Sequence, residues 1–530
     1  MRSVRVLRNV VTNYARFFLS GLIGFVLTPV LVHGLGDHGY GVWVMVFSLT
    51  GYFGLLDQGI RPSLVRYVSR DHARGDEAGL SHTLSSALLL NSALGVLALL
   101  ITGAAAATFT RFLRIEPDQV GAVRQIILIA GASVALGFPL GVFGAALSGL
   151  QRYDLANLTG IGVGILRAVV FVAVLRLGGG LVALSWASLA MNLLGHAASW
   201  VLLRRELPRL RLELATVTRE HLSLIMSYSG VAFVGAVANS LVFQTDALVI
   251  TAWMGAAFVT PFALAAGLVD NVRSLIYSAT WVLSPTASEL EARDETESLH
   301  ALVIQGAKYS VLLSWPVLFA LLVFGPNLLT TWVGHRYAQG PLLGTLLHPA
   351  AWRGSDSAAP LLVWLTLPTF ISLPQSAASS ILFGVSRHRG VVGLSLLNAL
   401  LNLGLSILWV TPWGLTGVAL GTAVPLAVVG GVATMAYSCR ALKLPFLRYA
   451  WHGLWRPALV TLVFLAPAAA VQLLWHPVGW GPLGLATGVP WLIFALVAWR
   501  IGLDGPERER WVRTVAGLFG RQPAAAGAGG

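Results

Sequence analysis

Fourteen apolar stretches of about 20 residues each recur along this 530-residue chain, and their connections alternate between strongly basic and weakly basic. The hydrocarbon core of a bilayer is about 30 Å thick, so about 20 apolar residues in a helix cross it. Only 11% of the residues are charged, against roughly 25% in a soluble domain. The pattern therefore predicts an all-α integral membrane protein with about 14 transmembrane helices.

The boundaries of the predicted spans follow from the apolar runs and the breaks between them. The spans are 14–34, 40–60, 82–107, 122–149, 155–175, 181–203, 222–252, 258–284, 303–329, 359–385, 391–410, 415–438, 457–475 and 482–502. An even number of spans places both termini on the same side of the membrane.

The positive charges orient the chain. The two termini and the connections on their side carry 27 of the 35 Lys and Arg residues, whereas the opposite connections carry six. Cytoplasmic connections are the ones enriched in Lys and Arg, so we expect both termini in the cytoplasm. The net charge of +13 then reflects orientation and attraction to anionic lipids, and it requires no nucleic-acid partner.

The sequence also indicates an internal repeat. Gly36 precedes an apolar helix that is followed by Asp76-Glu77, and Gly255 precedes one that is followed by Asp294-Glu295 at nearly the same separation. An offset of about 219 residues relates spans 1–6 to spans 7–12 with the same polarity, as in two-lobed transporters. The predicted organisation is an N-lobe (1–203), a C-lobe (204–440), two extra helices (441–503) and a cytoplasmic tail (504–530).

The segment from Gly34 to Asp76 resembles the N-terminal signature of the bacterial polysaccharide transporter family, which comprises oligosaccharide (O-antigen-type) flippases. The matching residues are Leu35-Gly36, Tyr40-Gly41-Val42-Trp43, Leu56-Asp57-Gln58-Gly59, Arg66-Tyr67 and Gly75-Asp76. Gln244-Thr245-Asp246 and Trp253-Met254-Gly255 resemble the second repeat of the same family. Lipid II flippases and multidrug extruders are similar in fold, so the resemblance defines fold better than substrate.

The resemblance implies a transporter that moves a polyprenyl-diphosphate oligosaccharide across the membrane by alternating access between its two lobes. It implies no enzymatic activity and no cofactor. A cationic central cavity would hold the head group, membrane lipids would surround the tail, and glycan polymerase or assembly proteins are possible partners. A monomer is the default expectation.

Charged residues inside the spans are the candidate cargo ligands, because each costs about 2.5–3.5 kcal/mol to insert. Asp270 and Arg273 lie one turn apart on one helical face. Arg273 either binds the diphosphate of the cargo, with Asp270 assisting, or forms a structural ion pair with Asp270. Arg167 either lines a cavity or pairs with a polar group of a neighbouring helix. Arg16 extends the basic lining or reaches to the lipid head groups.

Span 7 carries a polar stripe of Asn239, Gln244 and Asp246, for which we favour a water-lined cavity over a packed interface. Asp57 and Arg61 end span 2 and form either a gate at the inner mouth or an ordinary interfacial helix end. Five intramembrane asparagines are more typical of contacts between helices than of ligand sites: Asn91, Asn157, Asn192, Asn398 and Asn402.

Several other functions are disfavoured. Residues 34–39 match the dinucleotide pattern G-x-G-x-x-G, but that chemistry requires a preceding strand, whereas here the pattern joins two membrane helices. The single cysteine, Cys439, excludes a disulfide within the chain and a cysteine cluster for metal. A glycan polymerase or transferase usually needs several acidic residues on an outer loop, and the largest outer loop here has only Asp356.

Two transporter alternatives remain: a lipid II-type flippase and a multidrug or cation antiporter. The antiporter predicts an acidic cavity. A passive channel fits the two-lobed repeat less well. The glycan, the lipid carrier and the energy source, whether a proton gradient, a sodium gradient or the membrane potential, are open at this stage.

Overall fold

The computed structural model describes residues 2–57, 60–112, 119–213, 217, 230–339, 357–509 and 512. Within these ranges every regular element is helical, which confirms the predicted all-α fold. The pattern at residues 34–39 lies within a helix and has no strand before it. The dinucleotide-binding interpretation therefore lacks the strand it requires.

The helices of the first half are long and closely spaced. They are α1 (Arg2–Gly51), α2 (Ile60–Arg74), α3 (Glu77–Phe112), α4 (Val120–Gly149), α5 (Tyr153–Arg176), α6 (Leu181–Glu206) and α7 (Gly230–Trp253).

The helices of the second half include several short elements. They are α8 (Val259–Trp281), α9 (Leu283–Ala292), α10 (Thr296–Trp332), α11 (Ala358–Ser372), α12 (Gln375–Gly384), α13 (Arg389–Pro425), α14 (Thr434–Ala441), α15 (Phe446–Tyr449), α16 (Arg456–Leu462), α17 (Leu465–Leu474) and α18 (Trp480–Val497). Wide π-helical turns join α13 to α14 (Leu426–Ala433) and α15 to α16 (Ala450–Trp455), and a third follows α18 (Ala498–Gly502).

Within the described ranges, ten helical segments are long and apolar enough to cross a membrane. Helices α11 and α12, which meet at a bend of 48°, are long and apolar enough for a further span only when they are taken together. The molecule is thus a multi-pass membrane protein, and the exact total of 14 spans stays a prediction.

Helix α1 reverses direction at Gly36. Its 50 residues would extend about 75 Å as one rod, more than twice the hydrocarbon thickness. Before the break, Gly34 lies against Leu175 at the end of α5. After it, the ring of Trp43 lies back beside Phe171, 5.6 Å between centroids. Gly36 has a φ of 69°, a conformation that glycine adopts without steric cost.

Helix α13 reverses in the same manner at Gly414, whose φ is 58°. On either side of the turn, the amide of Asn402 donates to the hydroxyl of Thr422 at 2.8 Å. Gly421 lies directly against the backbone of Ser406. The two arms of α13 are therefore antiparallel and tightly packed.

The backbone repeats at the spacing that the sequence predicts. Before α3, the N–H of Asp76 donates to the carbonyl of Asp71 at 3.0 Å. Before α10, the N–H of Glu295 donates to the carbonyl of Leu290, also at 3.0 Å. In each turn the residue just before the donor has a positive φ. One helix–turn–helix geometry thus occurs twice.

A second pair of turns also repeats. The N–H of Arg152 donates to Leu147 O, and the N–H of Arg387 donates to Leu382 O, both at 2.9 Å. These two turns lie further apart along the chain than the first pair does, because the connection after α10 is longer than its counterpart after α3.

Helix packing repeats together with the turns. A Cβ atom on Gly149 would lie 3.0 Å from the carbonyl oxygen of Val65 in α2. A Cβ atom on Gly384 would lie 2.2 Å from the carbonyl oxygen of Ser284 in α9. At both positions only glycine permits such close backbone contact.

The described residues form two compact units. The first contains the described parts of 1–267, 343–361 and 392–425, and the second those of 268–342, 362–391 and 426–530. In the first unit, Leu64, Leu84 and Leu147 join α2, α3 and α4 in one apolar core. In the second, Ala287, Val303 and Ile381 join α9, α10 and α12. The predicted N-lobe (1–203) and C-lobe (204–440) have different boundaries from these two units, and they stay a prediction.

Helix α2 belongs to the segment that resembles the family signature. Its Asp71 is buried and accepts hydrogen bonds from Thr83 of α3 at 2.9 Å and from Arg70 at 2.7 Å. The hydrogen bond to Asp71 raises the pKa of Arg70 above its usual value. Arg70 also lies over the ring of Tyr67, so it is held by both neighbours.

Replacing Gly384 with Ala should lower the melting temperature of the detergent-purified protein by several degrees. The added methyl group has no room against the Ser284 carbonyl and forces α12 away from α9. Gly149→Ala should have a smaller effect of the same sign. The control is Gly141→Ala in α4, where a Cβ atom meets nothing within 4 Å. Equal melting temperatures for Gly384→Ala and Gly141→Ala would contradict the close contact.

Candidate functional site

Arg167 lies near the centre of α5, about 4 Å from its midpoint along the axis. Its Nη2 donates a hydrogen bond to Oδ1 of Asn192 in α6. The amide of Asn192 donates in turn to the hydroxyl of Ser133 in α4 at 2.8 Å. Three helices of the first unit therefore meet at one guanidinium, as the pairing interpretation of Arg167 expects.

The partners of Arg167 are neutral. Among the described residues, no carboxylate lies within ion-pair distance of its guanidinium, and the Nε–H makes no hydrogen bond. An amide oxygen orients the guanidinium without cancelling its charge. Positive charge is therefore retained at mid-helix, where an anion that lost its water would gain most from it.

Asp270 and Arg273 form the ion pair that their spacing indicates. Nη1 of Arg273 lies 3.1 Å from Oδ1 of Asp270, and the side chains are 9% and 40% exposed. Tyr277, one turn further along α8, also interacts with the guanidinium. Arg273 thus differs from Arg167, because its charge is neutralised within its own helix.

Arg16 of α1 lies beside the N-terminal half of α5. Its Nη1 donates to Oδ1 of Asn157 at 3.4 Å, and its guanidinium packs against Gly160. Gly160 and Arg167 are two helical turns apart and so lie on one face of α5, about 10 Å apart along the axis. The exposed Arg16 and the deeper Arg167 thus follow the same face of this helix.

Asp246 of α7 is buried among hydroxyl groups of α13. Its Oδ2 accepts a hydrogen bond from Thr422 at 2.8 Å, and its Oδ1 lies 3.5 Å from the Ser406 hydroxyl. Gln244 packs against Gly51 of α1, where a Cβ atom would meet the amide at 2.7 Å. Within the first unit, Asp246 therefore faces a packed polar interface, and its assignment to a cargo cavity stays a prediction.

Two other predicted positions lie outside the described side chains, Asn239 in the polar stripe of α7 and Asp57 in the predicted gate. Arg61, the second gate residue, is exposed at the start of α2 and acts electrostatically on His196 of α6. The proposed gating role stays a prediction.

Sequence reasoning overlooked a polar stripe along α6. Ser188, Asn192 and His196 recur at every fourth position and therefore lie on one face. His196 faces Gly137 of α4, while Asn192 holds Arg167. The regular spacing was the available signal, but it does not indicate which neighbouring helix the stripe contacts.

Sequence reasoning also overlooked the pairing of Lys308, which lies in the first half of α10. Its Nζ donates to Oε2 of Glu507 at 2.6 Å, and the two side chains are 10% and 7% exposed. They line a cavity of about 260 Å³ together with Arg448, His452 and Arg456.

A second cavity of about 620 Å³, in the first unit, is lined mainly by apolar residues. Neither cavity is lined by Arg167 or Arg273.

The chain matches a known protein family and a named bacterial relative. Residues 6–291 match the family described as "Polysaccharide biosynthesis protein", which confirms the resemblance of the Gly34–Asp76 segment. A protein of Shigella flexneri named as a candidate O-antigen transporter is 24% identical over 155 residues. That alignment covers 29% of this chain and 36% of the relative, so the chain matches about a third of its length.

Solved structures share the fold at low identity. The lipid II flippase MurJ, in an inward closed conformation, aligns with a TM-score of 0.66 and 14% identity, covering 93% of this chain and 98% of that one. An inward-facing multidrug resistance transporter of the MATE family and MOP superfamily also aligns with a TM-score of 0.66, at 17% identity, covering 80% and 94%. Both likenesses establish a transporter fold and leave the cargo open.

Replacing Lys308 with Met should lower the free energy of unfolding by about 3–5 kcal/mol, because Glu507 is left buried without its cation. Adding Glu507→Leu should restore much of the loss. The matched control is Arg448→Met, which breaks an exposed, solvent-screened pair with Glu297 and should change the stability little. Denaturant titrations followed by tryptophan fluorescence measure these differences; equal losses for Lys308→Met and Arg448→Met would refute the buried pair.

Proposed function

Because the chain belongs to the polysaccharide biosynthesis protein family and has a transporter fold, we propose that it is a flippase for a lipid-linked oligosaccharide. The cargo is a polyprenyl-diphosphate glycan that is carried from the inner to the outer leaflet of the bacterial cytoplasmic membrane. Both termini face the cytoplasm in this proposal, as the distribution of Lys and Arg indicates.

The observation that carries the proposal is the charge on Arg167. A guanidinium near the middle of a membrane helix, held by Asn192 and without a carboxylate nearby among the described residues, is set up to receive an anion. A diphosphate supplies that anion, and its oxygens accept two parallel N–H bonds from the planar guanidinium. The diphosphate carries negative charge whatever the glycan is, so it is the part of the cargo that a basic site recognises.

Arg16 supports the same interpretation from the cytoplasmic side. It is exposed and lies on the face of α5 that leads to Arg167. A diphosphate that enters from the cytoplasm meets Arg16 first and Arg167 about 10 Å further along the axis. Two positive side chains in sequence lower the cost of moving the anion into the hydrocarbon region.

Asp270 and Arg273 take a different part in this proposal. The pair is neutral as it stands, so Arg273 binds cargo only when a phosphate displaces Asp270. When the phosphate replaces the Asp270 carboxylate on Arg273, the ion pair within α8 is broken. Cargo binding is thereby coupled to a conformational change of α8. The polyprenyl tail stays in lipid throughout, and the protein moves the head group by alternating access without catalysing a reaction.

The related multidrug or cation antiporters are the principal alternative, and fold similarity does not separate them, because both solved structures align with the same TM-score of 0.66. Charge does separate them. A site for cationic drugs should be acidic, whereas Asp270 is paired with Arg273 and Asp246 is buried in a packed interface with the hydroxyl of Thr422. The charge on Arg167, in contrast, has only neutral partners among the described residues. This arrangement favours an anionic cargo.

Replacing Arg167 with Ala should reduce transfer of a labelled polyprenyl-diphospho-sugar across proteoliposomes by about tenfold or more, since one charged hydrogen-bonding partner of the diphosphate is lost. Arg167→Lys should retain an intermediate rate, because Lys keeps the charge but not the planar fork. The matched control is Arg176→Ala at the exposed end of the same helix, which should transfer at the wild-type rate.

Equal protein amounts in the vesicles and equal melting temperatures exclude a folding defect in these variants. Full transfer activity in Arg167→Ala would remove this residue from the mechanism. Failure of wild-type protein to transfer the labelled lipid, together with transport of a cationic drug, would favour the antiporter alternative.

A further inference from the structure

Two stripes of side chains run side by side along the helical segment Phe446–Leu474, which comprises α15 to α17. Each stripe has a residue at every fourth position, so its members lie along one face of the helix. The first is the basic stripe, formed by Arg448, His452 and Arg456. The second is the apolar stripe, formed by Leu447, Trp451, Trp455 and Leu459. A surface that is cationic on one side and apolar on the other has the character of an amphiphile-binding site.

The two stripes face different surroundings. All three side chains of the basic stripe line the cavity of about 260 Å³ in the second unit, together with Gln305 and Lys308 of α10. The apolar stripe is turned outward instead, and its four side chains are between 54% and 80% exposed. In a membrane protein such outward apolar side chains contact acyl chains. The cavity therefore lies beside a surface that is covered by lipid.

The depth of the cavity matches that of lipid head groups. The segment Phe446–Leu474 begins beside it, and the segment Trp480–Gly502 ends at it, with Gly502 in the cavity wall. Both segments are long and apolar enough to cross the membrane, so their ends lie near the boundary of the hydrocarbon. Trp side chains prefer this level, and the apolar stripe supplies two of them. A phospholipid phosphate in the same leaflet lies at this depth.

The arginines of the basic stripe retain hydrogen-bonding capacity. Nη1 of Arg448 donates to Glu297 and Nη2 of Arg456 donates to Asp504, both at 3.0 Å. These are the hydrogen bonds that the described residues give the two guanidinium groups, and both side chains are 45% exposed. A guanidinium has five N–H groups, so each arginine can bind a phosphate oxygen while it keeps its carboxylate.

The charges around the cavity favour an anion. Its lining contains the cations Lys308, Arg448 and Arg456 and the carboxylates Asp504 and Glu507, which leaves one positive charge in excess. Glu297 holds Arg448 from outside the lining and is 75% exposed, so water screens its charge. The phosphodiester of a phospholipid carries one negative charge. A zwitterionic head group would bring a further cation into this cavity, whereas an anionic one would not.

We propose that this cavity binds the phosphate of an anionic phospholipid from the adjacent leaflet. Arg448, His452 and Arg456 donate to the phosphate oxygens, and the amide of Gln305 donates from α10. The acyl chains lie along the apolar stripe. A lipid bound in this way connects α10 with the segment Phe446–Leu474. The site is distinct from the proposed cargo residues Arg167 and Arg16, and its occupation does not depend on which cargo the protein carries.

The test is a lipid titration of the purified full-length protein in detergent, followed by native mass spectrometry. Phosphatidylglycerol and phosphatidylcholine with identical acyl chains are compared. The first molecule of phosphatidylglycerol should bind at least about fivefold more tightly, because each basic residue near a lipid phosphate favours the anionic head group. Glycerol 1-phosphate at the same concentration should not displace it, because it lacks the acyl chains that contact the apolar stripe.

The variant that removes both arginine charges, Arg448→Gln with Arg456→Gln, should bind phosphatidylglycerol about tenfold more weakly and phosphatidylcholine as before. The matched control is Arg293→Gln, which removes an exposed arginine of the same unit that pairs with Glu289 and should leave both affinities unchanged.

Removing two members of the apolar stripe, in Trp451→Ala with Trp455→Ala, should weaken both lipids equally, because their acyl chains are the same. The control for this change is Trp480→Ala, an exposed tryptophan at the opposite end of the segment Trp480–Gly502, which should have no effect on either lipid.

The comparison of lipids on the wild-type protein needs no variant, so it decides the proposal even if a variant fails to fold. Equal affinities for the two phospholipids would overturn it, as would unchanged phosphatidylglycerol binding in the double arginine variant. Displacement by glycerol 1-phosphate would show a site for soluble phosphates instead. Displacement by an isoprenyl diphosphate at a lower concentration than phosphatidylglycerol requires would make the cavity a cargo site and would overturn the proposal equally.

Discussion

The hydrogen bond from Arg167 to Asn192 is the interaction on which the functional account depends. A guanidinium in a membrane helix must be stabilised, and the usual solution is a carboxylate that cancels its charge. Here the described partner is an amide, itself held by Ser133, so the side chain is oriented while its charge persists. Arg273 shows the other solution, because Asp270 neutralises it within α8. Only the first arrangement leaves net positive charge available to an anion.

The internal repeat explains how two different polar sites arise on similar helices. The turns before α3 and α10 have the same hydrogen bonds, and Gly149 and Gly384 make equivalent close contacts with the carbonyls of their neighbours. The backbone thus preserves the helix arrangement, while the side chains at matching positions differ. Asn402 lies as far beyond the turn at Arg387 as Arg167 lies beyond the matching turn at Arg152, so the matching position holds a permanent cation in one repeat and a neutral amide in the other.

The sequence predicted the features that depend on local spacing. Apolar length indicated the spans, the glycine-centred breaks divided them, and the one-turn separation of Asp270 and Arg273 indicated their contact. Contacts between side chains that are far apart in the sequence could not be predicted from local spacing. Lys308 and Glu507 are 199 residues apart, and Asn192 reaches Ser133 across 59 residues. Helical periodicity gives the face on which a polar residue lies, but not which helix packs against that face.

Equilibrium binding of a soluble, short-chain isoprenyl diphosphate to the purified protein tests the central claim most directly, because it isolates the anion from the glycan and from transport. The account predicts that the diphosphate binds wild-type protein at least about tenfold more tightly than it binds Arg167→Ala, and more tightly than the corresponding monophosphate. Equal affinities for wild type and Arg167→Ala would contradict an anion site at this arginine.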